Sequence, residues 1–162
     1  MKISTKGEYG IRAMLYVAMH AENGPVTSSA IARHQGIPEP YLRQILAQLS
    51  KDRLIQSNRG PQGGHILARP AAQISMRHIL MSLEGQTTHI DQILSLPCTI
   101  DVGTEHCVIR EVFLEVKKAV DRILSTTTLQ DIVDRQREIL QLGILVPHDV
   151  PASPSLLPVI YE

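Results

Sequence analysis

Aromatic side chains are nearly missing from this chain, which has no Trp, one Phe and four Tyr in 162 residues. That argues against an aromatic-rich β-sandwich and leaves the interior to Leu, Ile, Val, Ala and Met, a composition suited to helices packed on helices. Cysteine is equally scarce. Cys98 and Cys107 give no disulfide framework, and in a reducing compartment they are not expected to pair. No apolar run approaches the ~20 residues of a membrane span. The polar opening Met1-Lys2-Ile3-Ser4-Thr5-Lys6 lacks the apolar stretch of a secretory signal. The expectation is a soluble, cytoplasmic chain with no membrane partner, long enough for one cored domain and an appended element.

Net charge is absent too, with 16 basic and 16 acidic side chains, but their distribution is uneven. Residues 28–70 hold Arg33, Arg43, Lys51, Arg53, Arg59 and Arg69 against Glu39 and Asp52, a net +4. Residues 71–162 hold seven basic against twelve acidic side chains, a net −5. A basic segment joined to an acidic one suggests that one part meets a polyanion while the other has a different task. The sequence has no Ser/His/Asp arrangement, phosphate-binding glycine loop or paired-His helix motif, so an enzyme is not expected.

What is present is an ordered series of helix signals. Ile11, Met14, Leu15, Ala18 and Met19 recur at helical spacing and predict a helix over 6–22, stopped by Asn23-Gly24-Pro25. Thr27 or Ser28 then caps a short helix that Gly36 ends. Pro38-Glu39-Pro40 opens a third, since proline in a first turn loses only donors that would be unpaired anyway. This helix should bury Leu42, Ile45, Leu46 and Leu49 and run to about Asp52. Strand-like runs at Leu54–Ser57 and His65–Ala68 flank the turn Asn58-Arg59-Gly60-Pro61-Gln62-Gly63-Gly64. Ser75 caps a further helix ending at Gly85, and a loop follows over 86–105 with a short turn near Ile90–Leu94.

A long helix is expected at about 106–125, with Ile109, Val112 or Phe113, Val116, Val120 and Ile123 or Leu124 as an apolar stripe. Lys117, Lys118, Asp121 and Arg122 fill its other face. Thr128 and Asp131 resemble a capping box for a last helix over 129–141. The reading is a mainly α protein: a winged helix-turn-helix domain with a small β-hairpin wing (1–85), a cysteine-containing loop (86–107), dimerisation helices (108–142) and a proline-rich tail (143–162).

A helix-turn-helix lays its second helix in the major groove of double-stranded DNA. Here that leaves Tyr41, Arg43, Gln44, Ala47 and Gln48 on the outward face. Arg and Gln suit bidentate contacts to guanine and adenine edges, each worth roughly 1–3 kcal/mol of discrimination. Arg59 beside Gly60 on the hairpin tip suits a narrow minor groove. Ser28 and Ser29, at a helix start with free amides, suit a phosphate.

The motifs Val26-Thr27-Ser28-Ser29-Ala30-Ile31-Ala32, Gly36-Ile37, Tyr41-Leu42-x-Gln44-Ile45-Leu46, Leu54-Ile55 and Arg59-Gly60-Pro61-x-Gly63-Gly64 resemble the Rrf-two family of bacterial regulators. The resemblance is dense over 1–85 and looser over 98–135. It implies a homodimer whose long helices pair across a twofold axis, with two winged domains on a palindromic operator. Pro38 and Pro40 stand where the family often carries small hydroxyl residues, so the operator is expected to differ.

Relatives that sense redox state hold an iron–sulphur cluster on three cysteines before the long helix, some adding a carboxylate or histidine from the first helix. This chain has two cysteines there, nine positions apart, and Arg110 where some relatives have histidine. By that resemblance the candidate ligands are Glu8, Cys98 and Cys107, with His106 and His89 nearby. Cys107 at a helix start favours the thiolate that binds metal. A [2Fe–2S] cluster is the expectation; the same atoms suit zinc, and a cluster-free thiol switch is the alternative. The apolar tail at 143–162 docks on a protein partner, packs on its own dimer or frays.

Overall fold

The computed structural model describes residues 3–60, 62–85, 90 and 108–142. Helix α1 (Thr5–Met19) starts at Ser4, whose Oγ accepts the Gly7 N–H at 3.1 Å. Its face of Gly10, Ala13, Met14, Val17 and Ala18 is buried. Gly10 lets α1 approach its neighbour so closely that a Cβ there would overlap Leu83. The helix stops one turn before the expected end. His20 leaves the helical path, its ring stacked on Tyr16 at 4.1 Å and its Nδ1 2.8 Å from the Tyr16 carbonyl. A short 3-10 turn, Ala21–Asn23, then carries the chain to Gly24.

Thr27 caps α2 (Ser28–Gln35), accepting the Ala30 N–H at 3.2 Å, and Gly36 ends it in the left-handed conformation at φ 63°. Helix α3 (Glu39–Lys51) follows Pro38 directly. Leu42, Ile45, Leu46 and Leu49 are buried on it, as their spacing demands. Strands β1 (Ile55–Asn58) and β2 (Gly64–Leu67) pair antiparallel from Ile55 opposite Leu67 to Asn58 opposite Gly64.

Both strands are shifted by one residue from the sequence reading, although the hairpin contact still reaches Leu54, whose carbonyl accepts the Ala68 N–H at 3.1 Å. Leu54 is drawn to the end of α3, its N–H donating to the Leu49 carbonyl at 2.9 Å. At the other end the hairpin is stitched to the segment before α2: the Val26 N–H donates to His65 at 3.0 Å, and the His65 N–H donates back at 2.8 Å.

Ser75 caps α4 (Met76–Glu84) in a capping box with His78, and Gly85 closes it at φ 75°. Burial, then the cationic Arg69 and Arg77, hold His78 below the ordinary histidine range. Helices α5 (Val108–Thr126) and α6 (Leu129–Gln141) follow. The expected Thr128–Asp131 capping box is present, with Asp131 Oδ2 accepting the Thr128 N–H at 2.8 Å and its hydroxyl at 2.7 Å. Those two bonds hold the Asp131 carboxyl below its usual range. The two capped turns lie back to back: the Met76 N–H donates to Thr127 at 2.9 Å and the Leu129 N–H to Ile74 at 2.7 Å. Leu129 and Val133 of α6 are thereby buried in the same aliphatic core as Met14, Ile31, Leu42 and Ile45.

Helix α5 divides its apolar residues between two faces. Phe113, Val120 and Leu124 are half-buried on the side that packs against α4 and the core. Ile109, Val112, Val116, Ala119 and Ile123 are exposed on another. Lys117 and Asp121 do not lie on an open polar face as expected. They are largely covered and paired at 3.1 Å, so the pair satisfies two charges on the packed side. Six α-helices and one two-stranded sheet thus form a mainly α winged helix-turn-helix among the described residues. No helix among them is long and apolar enough to cross a membrane. The loop turn expected near Ile90–Leu94, apart from Ile90 itself, and the tail at 143–162 lie outside the described residues.

Candidate nucleic-acid interface

The start of α2, the start of α3 and the turn end of the hairpin converge on one open cleft of about 240 Å³, lined by Thr27, Ser28, Ser29, Glu39, Arg43, Asn58, Gly63, Gly64 and His65. Local rules place each element. Gly36 turns the chain between the two helices, while Pro38 and Pro40 preset the entry of α3. Gly64 lets β2 run against the backbone before α2, because a Cβ there would lie 2.8 Å from the Val26 carbonyl oxygen.

Ser28 Oγ lies 2.9 Å from His65 Nε2, and Ser57 Oγ lies 2.9 Å from His65 Nδ1. One imidazole thus bridges α2 and the wing. Burial holds this ring below the ordinary histidine range, so it is neutral at physiological pH. Ser29 Oγ is 3.1 Å from Thr27 Oγ1 and exposed.

On α3, Arg43, Gln44 and Ala47 are exposed, and Gln44 has no hydrogen-bond partner among the described residues. Arg43 donates from Nη2 at 2.6 Å and from Nε at 3.2 Å to Glu39 Oε1. Gln48 is half-buried and donates to Asp52 Oδ2 at 2.8 Å. The same Asp52 oxygen accepts the Ser82 hydroxyl at 2.5 Å, which ties the end of α3 to α4. The Ser82 and then the Gln48 hydrogen bond hold Asp52 below its usual range. Tyr41 turns partly inward: its ring packs edge-on against Tyr9 at 6.0 Å, leaving only part of it outward. Arg59 and Gly60 are exposed at the hairpin tip, where Gly60 takes φ 114° and its carbonyl accepts the Gly63 N–H at 2.9 Å.

Three cleft residues escaped the sequence reading. Glu39 carried a readable signal, standing four residues before Arg43 on a helix. Asn58 and His65 carried none: Asn58 accepts from the nearby Gln56 at 3.4 Å, and His65 meets Ser28 from a distant segment.

Glu8 is the one candidate metal ligand among the described residues. It is exposed on α1 and paired with Arg12 at 3.4 Å, while Arg12 also donates to the Gln35 carbonyl. Cys98, His106, Cys107 and His89 lie outside the described residues, and within them no group of three or more His, Cys, Asp or Glu side chains converges. The described donor set alone does not fit a cluster or a zinc ion.

Comparison with known proteins places this geometry. The family described as Rrf2, iron-dependent transcriptional regulator, matches residues 3–135. The helix-turn-helix-type transcriptional regulator IscR of Yersinia enterocolitica is 30% identical over 143 residues, 88% of this chain and 85% of that protein. CymR, the global cysteine regulator of B. subtilis, superposes with a TM-score of 0.71 at 30% identity, covering 83% of this chain and 98% of that one. IscR of T. potens superposes at 0.70 with 39% identity, covering 85% and 90%. With a family match across most of its length and regulators as relatives, this chain belongs to the Rrf2 family of transcriptional regulators.

Proposed function

We propose that this regulator acts in the cytoplasm as a homodimer that grips double-stranded DNA with two winged domains on an inverted repeat. The observation that carries the reading is the convergence of the α2 start, the α3 start and the turn end of the wing on one cleft, with Arg59 exposed at the adjoining tip. In this reading Ser28, Ser29 and the α2 amides hold phosphate. Arg43, Gln44, Gln48 and the outward part of Tyr41 meet base edges in the major groove, Gln48 after releasing Asp52. Arg59, beside Gly60, enters the minor groove. Residues 1–85 serve as the DNA-binding unit.

Dimerisation is assigned to α5 within 108–142. Ile109, Val112, Val116, Ala119 and Ile123 follow each other at steps of 3, 4, 3 and 4 residues, the spacing of a two-helix seam, and all are exposed in the single chain. Selection from random duplex oligonucleotides at low ionic strength tests the whole reading. Enrichment of an inverted repeat is expected, and failure to enrich one refutes it.

The signal is assigned to the segment 86–107 with Cys98 and Cys107. The family's iron-dependent description and the IscR relatives favour iron–sulphur sensing, whereas a relative solved as oxidized CymR of Staphylococcus aureus, 32% identical, favours a cluster-free thiol switch. A [2Fe–2S] cluster would need four ligands, Cys98 and Cys107 with Glu8 and His106, and Glu8 would first have to release Arg12. Purification without oxygen, with a visible spectrum and iron and sulphide assays, separates the two. A colourless protein free of acid-labile sulphide removes the cluster.

A further inference from the structure

We propose that Glu39 sets the sequence selectivity of this regulator, by orienting Arg43 towards a guanine edge and withholding its charge from phosphates. The inference rests on the DNA-binding reading above and concerns the same cleft.

A carboxylate in a surface that meets a polyanion opposes binding, so its presence there calls for a reason. Glu39 is the only acidic side chain lining the cleft among the described residues, and Arg43 is the only cation. Helix capping does not supply the reason. Pro38 holds the cap position with no side-chain capping bond, and Glu39 is the first helical residue, two short of the position a capping box uses. The helix dipole therefore favours its charge without fixing which way it points. Stability does not supply it either, since an exposed i,i+4 ion pair contributes little.

The bond pattern does. Arg43 gives its Nε hydrogen and one Nη2 hydrogen to the single oxygen Oε1, at 3.2 and 2.6 Å. That fixes the guanidinium plane and leaves free its far end, made by Nη1 and the second Nη2 hydrogen. Two parallel donors at that end match guanine O6 and N7. With Glu39 beside it, Arg43 is close to electrically neutral as a unit. A phosphate gains little from such a unit, whereas a guanine edge keeps both hydrogen bonds. Selectivity is therefore obtained by penalising the wrong contact as much as by favouring the right one.

The test compares the wild-type chain with Glu39→Gln, Arg43→Ala and the double variant. Binding to the selected inverted repeat and to a scrambled duplex is followed by fluorescence anisotropy across a salt series. Glu39→Gln releases the Arg43 charge, so each protomer gains one phosphate contact. On the scrambled duplex the salt slope should steepen by about 0.9 per protomer, and affinity should rise about eightfold per protomer near 0.1 M salt. Discrimination between the two duplexes should fall correspondingly. In the Arg43→Ala background the same Glu39 change should no longer steepen the slope by that amount.

Glu138→Gln removes an equal charge from exposed α6, distant in sequence from the cleft, and serves as the net-charge control. Unchanged slope and discrimination in Glu39→Gln would overturn the proposal, as would an equal change in Glu138→Gln or in the Arg43→Ala background. If the wild-type chain bound neither duplex, the DNA-binding reading itself would fall and this inference with it.

Discussion

Val112 offers the sharpest test of how two copies meet. In the single chain it is 58% exposed, between Ile109 at 59% and Val116 at 45% on the same face of α5. Full burial of a valine side chain is worth about 1.5–3 kcal/mol, so covering the exposed part contributes about 1 kcal/mol. Twofold symmetry repeats that contribution, giving about 2 kcal/mol for the residue in a dimer. Val112→Asp removes it and brings in two carboxylates whose desolvation adds to the loss. The dimer dissociation constant should rise at least about thirtyfold. Sedimentation equilibrium over a concentration range measures it, with Val112→Leu expected to remain dimeric. Because Val112 lies outside the core, circular dichroism should show the helical fold retained. A Val112→Asp protein that sediments like the wild-type dimer would refute the assignment of α5 as the seam.

Three further outcomes are expected. Arg59→Ala should weaken operator binding at least about tenfold and lower its salt sensitivity, and an unchanged gel-shift salt series would remove Arg59 from the contact. Gly64→Ala sets a methyl group against the Val26 carbonyl and should cost about 1–3 kcal/mol in urea unfolding, together with weaker DNA binding. His65 has a folded-state pKa lowered by burial, so the unfolded chain binds more protons as pH falls below the ordinary value of 6.5. Stability should therefore decline from about that pH down to the lower folded value, and His65→Gln should flatten the decline. An unaltered pH profile in that variant would refute the assignment.

How much of this was legible beforehand depends on the distance over which each feature is determined. The buried positions of α3 at Leu42, Ile45, Leu46 and Leu49, the Thr128–Asp131 box and the stops at Gly36 and Gly85 are set within a few residues, and spacing alone exposed them. The pairing of Val26 with His65 was not legible, because it joins segments far apart in the chain. On α5 the periodicity marked an apolar stripe but could not say that Phe113 and Val120 turn inward while Val112 and Val116 turn out. Nor could it say that Lys117 and Asp121 pair on the covered side. On α3, residue type pointed to Arg43 and Gln44. The engagement of Arg43 by Glu39, of Gln48 by Asp52 and of Tyr41 by Tyr9 required coordinates.

The back-to-back turns at Ser75 and Thr128 bear on where this protein can be cut. Leu129 and Val133 act as a stopper in the groove beside α1, sealed at one end by the backbone bonds between Ile74 and Leu129. A fragment severed at Gly85 keeps its wing and its reading helix but is left with an unplugged oily furrow. Helix α6 is accordingly a closing piece of the body that carries the wing, and residues up to Val133 are needed before that body is whole.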